Sequence, residues 1–330
     1  MTKQTELASL VKGNRVDHFL LVRRNEVRLT KNQKPYLSLE LGDQSLTLSA
    51  NVWDNYEEQV PGLKNGDLVK VKGHIEEYQN ANQIKVDTIR LAIPSDGVSS
   101  SDFLPKSKRN PEEMKKEFTA RIQKIRDKKL KQLITLVFDD ENFQKFSVSP
   151  AGKMWHHGYL HGLIEHTLEI IKICDLMSDI HPDINRDLLV CGAMLHDFGK
   201  IEELNSDTSF EYTDKGKLLG HITIAAMIVN EKINLIKEFP EELKNSLLHL
   251  ILSHQGKLEH ASPVVPKTVE AIALYQADEL SAKVNAYKNA IQTELKSDSK
   301  WTKYIQLAGT DLYGQDLIKE EQEKKTLFDD

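Results

Sequence analysis

With 330 residues and 39% hydrophobic side chains, the chain is long enough for two ordinary domains and apolar enough to fill their cores, so a disordered polypeptide is excluded. A net charge of −6 does not by itself point to a nucleic-acid binder, but the charge is uneven: residues 106–131 carry 11 Lys/Arg against 4 Asp/Glu, and residues 132–330 carry 20 against 32. Cys174 and Cys191, both in apolar helix-like stretches, make neither a disulfide framework nor a zinc motif. The opening MTKQTELASL lacks the apolar core of a leader, and no run reaches the ~18 apolar residues of a membrane span, so a cytoplasmic setting without membrane contact is expected.

Residues 11–93 read as β, within a first domain of 1–93. Strand-like runs fall at 16–22, 36–41, 45–53, 68–75 and 84–93, separated by the turn signals Gly42-Asp43, Pro61-Gly62 and Asn65-Gly66-Asp67. Five short strands in about eighty residues fit a small barrel of the OB type. In the second strand, alternation sends Leu37, Leu39 and Leu41 to one face and Tyr36 to the other. In the third, Leu46, Leu48, Ala50 and Val52 share a face, opposite Thr47, Ser49, Asn51 and Trp53. Tyr36 and Trp53 thus fall on the outward phase, with Arg23, Arg24, Arg28 and Lys34 near in sequence. They are candidates for nucleic-acid contact, the other reading being that Trp53 closes the barrel end as core.

Residues 94–110 are a linker by composition, rich in Ser, Pro and Gly. From 111 to 315 the pattern is helical. Asn110-Pro111-Glu112-Glu113 marks a start, with a cap residue, proline at the first helical position and early acids. Breaks are expected near 149–158, 179–186, 199–220, 255–267 and 309–315. The basic run at 106–131 is either a contact for a polyanion or the solvated face of a helix. Residues 316–330 form a charged tail expected to fray. The expected fold class is therefore multi-domain, β plus all-α: a five-stranded OB-type barrel followed by a helical domain.

Seven of the twelve histidines lie from 156 to 221. The central signal is His196-Asp197 in GAMLHDFGK, at the end of a run, Leu188 to Leu195, that is mostly apolar. A buried aspartate is costly unless it is paired or binds a metal. Adjacent His and Asp side chains can put a nitrogen and a carboxylate on one cation. Four further residues lie in or beside other helical stretches: His166 in GLIEHTLEIIKI, His221 after Gly220, His254 at the end of SLLHLILSH, and Asp278 in EAIALYQADELSAK. Each alone is commonplace. Five such elements in this order are hard to explain as independent accidents.

The pattern H…HD…H…H…D resembles the HD superfamily of metal-dependent phosphohydrolases, which are all-helical. The segments HHGYLHGLIEHTLEI, LLVCGAMLHDFGKI, LLGHITIAAMIV and SHQGKLEHASPVVPKTVEAIALYQADELSAK are similar, more narrowly, to the YhaM-type 3′→5′ exoribonucleases, which join an N-terminal OB-fold to a C-terminal HD domain. The resemblance implies Mn²⁺. It also implies a 3′→5′ direction of degradation. One departure is Gln255, which stands where that family commonly carries a second histidine beside His254; His260 is a candidate substitute.

Imidazole and carboxylate ligands without thiolate suit Mn²⁺, Fe or Mg²⁺ better than a structural zinc site. In a two-ion site, His166, His196 and Asp278 would hold one ion, His221 and His254 the other, and Asp197 would bridge them. Coordination would activate the attacking water. Lys200, one turn past Asp197, is a candidate for stabilising charge on the phosphoryl group, and His157 for contacting the phosphate or leaving group. The barrel supplies the argument for substrate, because OB-folds stack the bases of single strands on aromatic side chains. The expected activity is hydrolysis of single-stranded RNA, and of DNA as well. The alternatives are an HD phosphohydrolase of small or cyclic nucleotides with a regulatory barrel, and a non-catalytic single-strand-binding protein. A homo-oligomer is left open.

Overall fold

The computed structural model describes residues 4–78, 81–153, 155–205, 210–295 and 299–314. The charged tail 316–330 lies outside the described residues. The chain falls into two compact units: the first runs to Lys106 and takes in Asn205 and Glu211, and the second, starting at Ser107, holds the rest.

The first unit is a closed five-stranded barrel with strand order β1-β2-β3-β5-β4. Its strands are β1 (Arg15–Leu29), β2 (Pro35–Gly42), β3 (Thr47–Val52), β4 (Leu68–Tyr78) and β5 (Ala81–Leu91). β1 pairs antiparallel with both β2 and β4, and closure comes from a parallel pairing of β3 with β5. A short helix, α1 (Tyr56–Gln59), lies between β3 and β4. The inward residues are those the alternation assigns: Leu37, Leu39 and Leu41 of β2 and Leu48, Ala50 and Val52 of β3 are buried with Val16, Leu20, Val69, Val71, Ile75 and Ile84.

Three details differ from the sequence reading. β1 continues seven residues beyond Val22, because a bulge between Val22 and Arg24 shifts the register and resets the alternation. Leu46 is exposed and precedes β3: Asp43 Oδ1 accepts from the backbone N–H of Ser45 (2.7 Å) and Leu46 (2.9 Å), holding these residues in a turn. The stretch read as a linker is tied down within the first unit up to Leu104. Asp96 pairs with Arg90 at 2.8 Å, Arg23 donates to the Phe103 carbonyl at 2.9 Å, and Phe103 and Leu104 are buried.

The second unit is helical: α2 (Pro111–Gln123), α3 (Lys128–Val137), α4 (Asp140–Val148), α5 (Gly162–Ile180), α6 (Arg186–Leu195), α7 (Lys200–Glu203), α8 (Asp214–Asn234), α9 (Glu241–Ser253) and α10 (Val269–Glu294). Two-residue strands β6 (Leu204–Asn205) and β7 (Glu211–Tyr212) pair between α7 and α8. Asn110 caps α2 by accepting from the backbone of Glu112 and Glu113. Two breaks not anticipated, before α3 and α4, are made by Asp127 and Asp139, whose carboxylates cap the next helix. The 199–220 interval, expected to be a break, contains α7 and the start of α8, capped by Thr213. Helix was expected to run on toward 308 but stops at Glu294. Residues 299–314 instead fold back through bridges between Trp301 and Tyr313 and between Ile305 and Thr310.

The core of this unit is one cluster centred on α5 and α6. Phe118, Phe138, Phe143 and Phe146 form an aromatic knot in which Phe118 lies 4.9–5.5 Å, centroid to centroid, from each of the others. Cys174 and Cys191 are buried free thiols, and burial pushes both well above the usual thiol range. Among the described residues, no helix is long and apolar enough to cross a membrane. Truncating fully buried Phe118 to Ala is expected to cost about 3–5 kcal/mol of second-unit stability. Urea unfolding followed by far-ultraviolet circular dichroism checks this.

Candidate metal centre and nucleic-acid face

The second unit converges on the carboxylate of Asp197. α6 is buried from Leu188 to Leu195 and stops at His196, which occupies its C-cap, so Asp197 emerges inside the core. His166 comes from α5, His221 from α8, His254 from the C-cap of α9 and Asp278 from α10. Asp197 Oδ2 faces His166 Nε2 (3.7 Å) and His196 Nε2 (3.3 Å), and Oδ1 faces His221 Nε2 (3.3 Å) and His254 Nε2 (3.7 Å). Asp278 Oδ1 lies 3.0 Å from His166 Nε2.

The outer nitrogen of every ring meets an acceptor. Nδ1 of His196 donates to the Ala193 carbonyl (2.8 Å), and Nδ1 of His254 to the Ile251 carbonyl (2.7 Å). Nδ1 of His221 donates to Glu203 (3.1 Å), which also accepts the His221 backbone N–H (2.9 Å). Nδ1 of His166 donates to Ser281 Oγ (3.0 Å), whose own proton goes to Glu169 (2.7 Å). With each proton on Nδ1, each Nε2 presents a lone pair toward the same carboxylate, that of His254 also lying 3.3 Å from the Gln255 amide nitrogen. His196 Nε2, His221 Nε2 and Asp197 Oδ1 are buried without a hydrogen-bond partner. Acceptors gathered in this way without donors are unfavourable unless a cation lies among them. Three triads have ligand atoms within 4.8 Å of one another: His166, His196, Asp197; Asp197, His221, His254; and, on the other side of His166, His157, His166, Glu169. This donor set fits divalent metal.

The electrostatics agree with that fit. Burial would raise the Asp197 carboxyl, but the Lys200 ammonium 2.7 Å away leads the groups that outweigh it and hold the carboxyl well below the carboxylate range. Burial pushes His254 down to about 3 and His166 well below the imidazole range, which keeps both rings neutral and able to act as ligands. Two glycines let the helices meet. A Cβ on Gly199 would sit 2.1 Å from the His221 carbonyl oxygen and 2.8 Å from the Ala225 nitrogen, so only glycine admits α8 at this distance. Gly220 (φ 71°, ψ 151°) breaks α8 just before His221, a conformation open to glycine and strained for other residues.

The other candidates are placed differently from the sequence reading. Lys200 is buried, 2.7 Å from Asp197 Oδ2 and donating to the Ala151 carbonyl, and it is not among the residues lining the neighbouring cavity. Its ammonium neutralises Asp197 rather than reaching outward to a phosphoryl group. His157 is turned inward, 3.3 Å from Glu169. It is His156 that lines the cavity, its ring 5.0 Å from that of His166. Gln255 sits beside His254, with Nε2 atoms 3.3 Å apart, and His260 lies in the cavity wall outside all three triads. Sequence reasoning missed Glu169, Ser281 and Glu203. The first two lie three residues beyond His166 and Asp278 on the same helix faces, a spacing that could have marked them.

On the barrel, Trp53 is 53% exposed, so it is not core. It stacks on Tyr36, with ring centroids 4.6 Å apart and an interplanar angle of 24°. Arg28 is opposite Tyr36 in the β1–β2 register. Glu26 accepts from both Arg24 and Arg28, which offsets part of their charge. Arg23 differs from its neighbour: its guanidinium is turned into the domain, where it donates to the Asp43 and Phe103 carbonyls, and burial lowers its pKa. It is therefore removed from the candidate nucleic-acid contacts.

Residues 163–283 match the HD domain, and residues 21–92 match the OB-fold nucleic acid binding domain of the tRNA anticodon-binding type. The class so defined is an HD-domain protein with an OB-fold, the helical domain carrying a histidine–aspartate metal centre. The chain is 34% identical over 280 residues to the 3′-5′ exoribonuclease YhaM of Oceanobacillus iheyensis, covering 85% of this chain and 88% of the relative. It is 36% identical over 273 residues to that of Listeria welshimeri (83% and 87%) and 33% identical over 280 residues to that of Bacillus subtilis (85% and 88%). It belongs to the YhaM family of 3′-5′ exoribonucleases.

In chelator-treated protein, Asp197→Ala is expected to lose about 3–5 kcal/mol, because the Lys200 ammonium is left buried without its partner. Adding Lys200→Met is expected to restore most of that loss. Urea midpoints of the two variants test the pairing, and an Asp197→Ala protein with an unchanged midpoint would contradict it.

Proposed function

We propose that this chain is a cytoplasmic, metal-dependent 3′→5′ exoribonuclease acting on single-stranded RNA. The observation that carries this reading is the convergence of four imidazole Nε2 atoms and two carboxylates on one buried point, where His196 Nε2, His221 Nε2 and Asp197 Oδ1 have no hydrogen-bond partner, in a chain that also carries an outward aromatic stack on an OB barrel. His166, His196 and Asp278 would hold one divalent ion, His221 and His254 a second, with Asp197 shared between them; Mn²⁺ suits this ligand set. Metal bound there supplies charge neutralisation at a phosphodiester and lowers the pKa of water toward neutrality.

The chain's own residues do the positioning. The Nδ1 partners, Ala193, Ile251, Glu203 and Ser281, fix each ring's tautomer and direction, and such outer partners are commonly worth about 10–100-fold in metal affinity or activity. Lys200 keeps Asp197 ionised and in place before any ion arrives. His156 faces the cavity, where it can contact a phosphate oxygen or the leaving oxygen. In the net reaction the oxygen of water bonds to phosphorus, one P–O ester bond breaks, and the departing oxygen takes up a proton. Tyr36 and Trp53 present one composite ring surface to a base. Stacking of this kind does not distinguish RNA from DNA, so single-stranded DNA is expected to bind the same face. In this reading 1–93, with the stretch tied to it as far as Leu104, binds the strand, the rest of 94–110 connects, and 111–315 carries the chemistry.

Two experiments test the proposal. RNA labelled at its 5′ end is expected to give a ladder of shortened products with Mn²⁺, none with chelator, and none when the 3′ end is chemically blocked; release of small products from a 3′-blocked strand would refute the polarity. Trp53→Ala is expected to raise KM for long single strands about 5–150-fold, the equivalent of ~1–3 kcal/mol, with a much smaller change in kcat. Because Trp53 is half exposed, the melting temperature should stay near wild type. A large fall in melting temperature with unchanged RNA affinity would remove the barrel face from the reading.

A further inference from the structure

A cavity of about 480 Å³ opens in the second unit directly against two residues of the metal centre, His254 and Asp278. That volume lies within the roughly 300–1,000 Å³ range of small-molecule sites. It suits one nucleotide rather than a length of strand. The walls carry aromatic rings (Trp155, Tyr275, Tyr287) that can cover a base, and an ammonium group (Lys257) that can meet phosphate. They also carry a carboxylate that the metal centre does not use, Glu279.

Glu279 follows Asp278 on α10 and is held from two sides. Its Oε2 accepts from the Tyr275 hydroxyl at 3.0 Å, and its Oε1 lies 2.9 Å from Lys283 Nζ. Each oxygen retains a lone pair. Lys283 balances the charge and Tyr275 fixes the group's direction, so the carboxylate is held in the cavity wall as an acceptor for a donor on the ligand. The donors common to every ribonucleotide, whatever its base, are the ribose hydroxyls, and a carboxylate accepting from ribose hydroxyls is a recurring means of nucleotide recognition.

We propose that this cavity holds the last nucleotide of the strand and that Glu279 accepts hydrogen bonds from the 2′- and 3′-hydroxyls of its ribose. This rests on the exonuclease reading above and adds to it a chemical basis for choosing ends. An RNA terminus offers two adjacent donors. A DNA terminus offers one. An internal nucleotide has its 3′ oxygen esterified and cannot present the pair, and a 3′-phosphorylated end places a dianion against the carboxylate. One contact thus favours RNA over DNA, ends over interiors, and free over phosphorylated termini.

The test is calorimetric titration of the full-length protein with Mn²⁺ and three probes: adenosine 5′-monophosphate, its 2′-deoxy form, and adenosine 3′,5′-bisphosphate. Wild type is expected to bind the monophosphate about ten- to a hundredfold more tightly than the deoxy form, the effect of one hydrogen bond to a charged group. The bisphosphate is expected to bind weakest. In Glu279→Gln both gaps should narrow markedly; gaps of wild-type size overturn the proposal. If Glu279→Gln does not fold, Glu279→Asp serves. Its withdrawn carboxylate should still exclude the bisphosphate while losing the preference over the deoxy form, and retention of that preference overturns the proposal. Wild-type protein that leaves RNA undegraded would refute the exonuclease reading itself. Protein that degrades RNA from the 3′ end while Glu279→Gln discriminates as wild type does would refute the role of Glu279 alone.

Discussion

A single buried carboxylate governs the second unit. Asp197 is almost inaccessible to water, and an unpaired charge at such a depth would not remain ionised. It stays charged because Lys200 lies 2.7 Å away and the donor set around it has room for cations. Five helices must therefore present a particular side chain at one point. The positions of α5, α6, α8, α9 and α10 are constrained by that requirement as much as by their apolar packing. The lysine has a second effect: with one cation built into the protein, the carboxylate is tolerable in the apoprotein, so the site can form before metal binds.

The supporting structure is apolar and tightly packed. The burial of α6 from Leu188 to Leu195 removes freedom from the segment that delivers His196 and Asp197. The aromatic knot around Phe118 stiffens the contact between α2, α4 and the rest of the core. The barrel follows a different principle: its core is aliphatic, and its aromatic pair Tyr36 and Trp53 is left outside. The two units thus divide the physical work. In the proposed reading, affinity for a strand would come from stacking that tolerates any base, and chemistry from fixed nitrogens and oxygens in a pocket that takes one unit at a time.

Much of this was legible in the sequence because the relevant signals are local. Period-two alternation placed Leu37, Leu39 and Leu41 inside and Tyr36 outside, and Asn110-Pro111 marked the start of α2. The motif HD at the end of an apolar run exposed the centre. What stayed hidden depended on tertiary approach or on a break in local rhythm. The bulge near Arg23 reset the phase of β1, so the strand seemed to end at Val22. The same bulge hid that Arg23 turns inward while Arg24 does not. Adjacent His156 and His157 were indistinguishable as a dipeptide; only the fold turns one toward the cavity and the other toward Glu169. Lys200 was one turn from Asp197 in either reading, and its burial decides that it supports the carboxylate. Glu279 carried no signal beyond being next to Asp278.

His196 and His254 share a local device. Each ends its helix, and each ring returns a hydrogen bond to the carbonyl three residues earlier. The ligand and the stop of the helix are one residue. An inserted or deleted residue anywhere in α6 or α9 would turn that histidine through about 100° and shift it by ~1.5 Å along the axis, taking its nitrogen away from the site while leaving the helix intact. These two helices can therefore accept changes of side chain far more readily than changes of length. In the lineage of this chain, insertions should accumulate in the loops that precede them and stay out of the helices themselves.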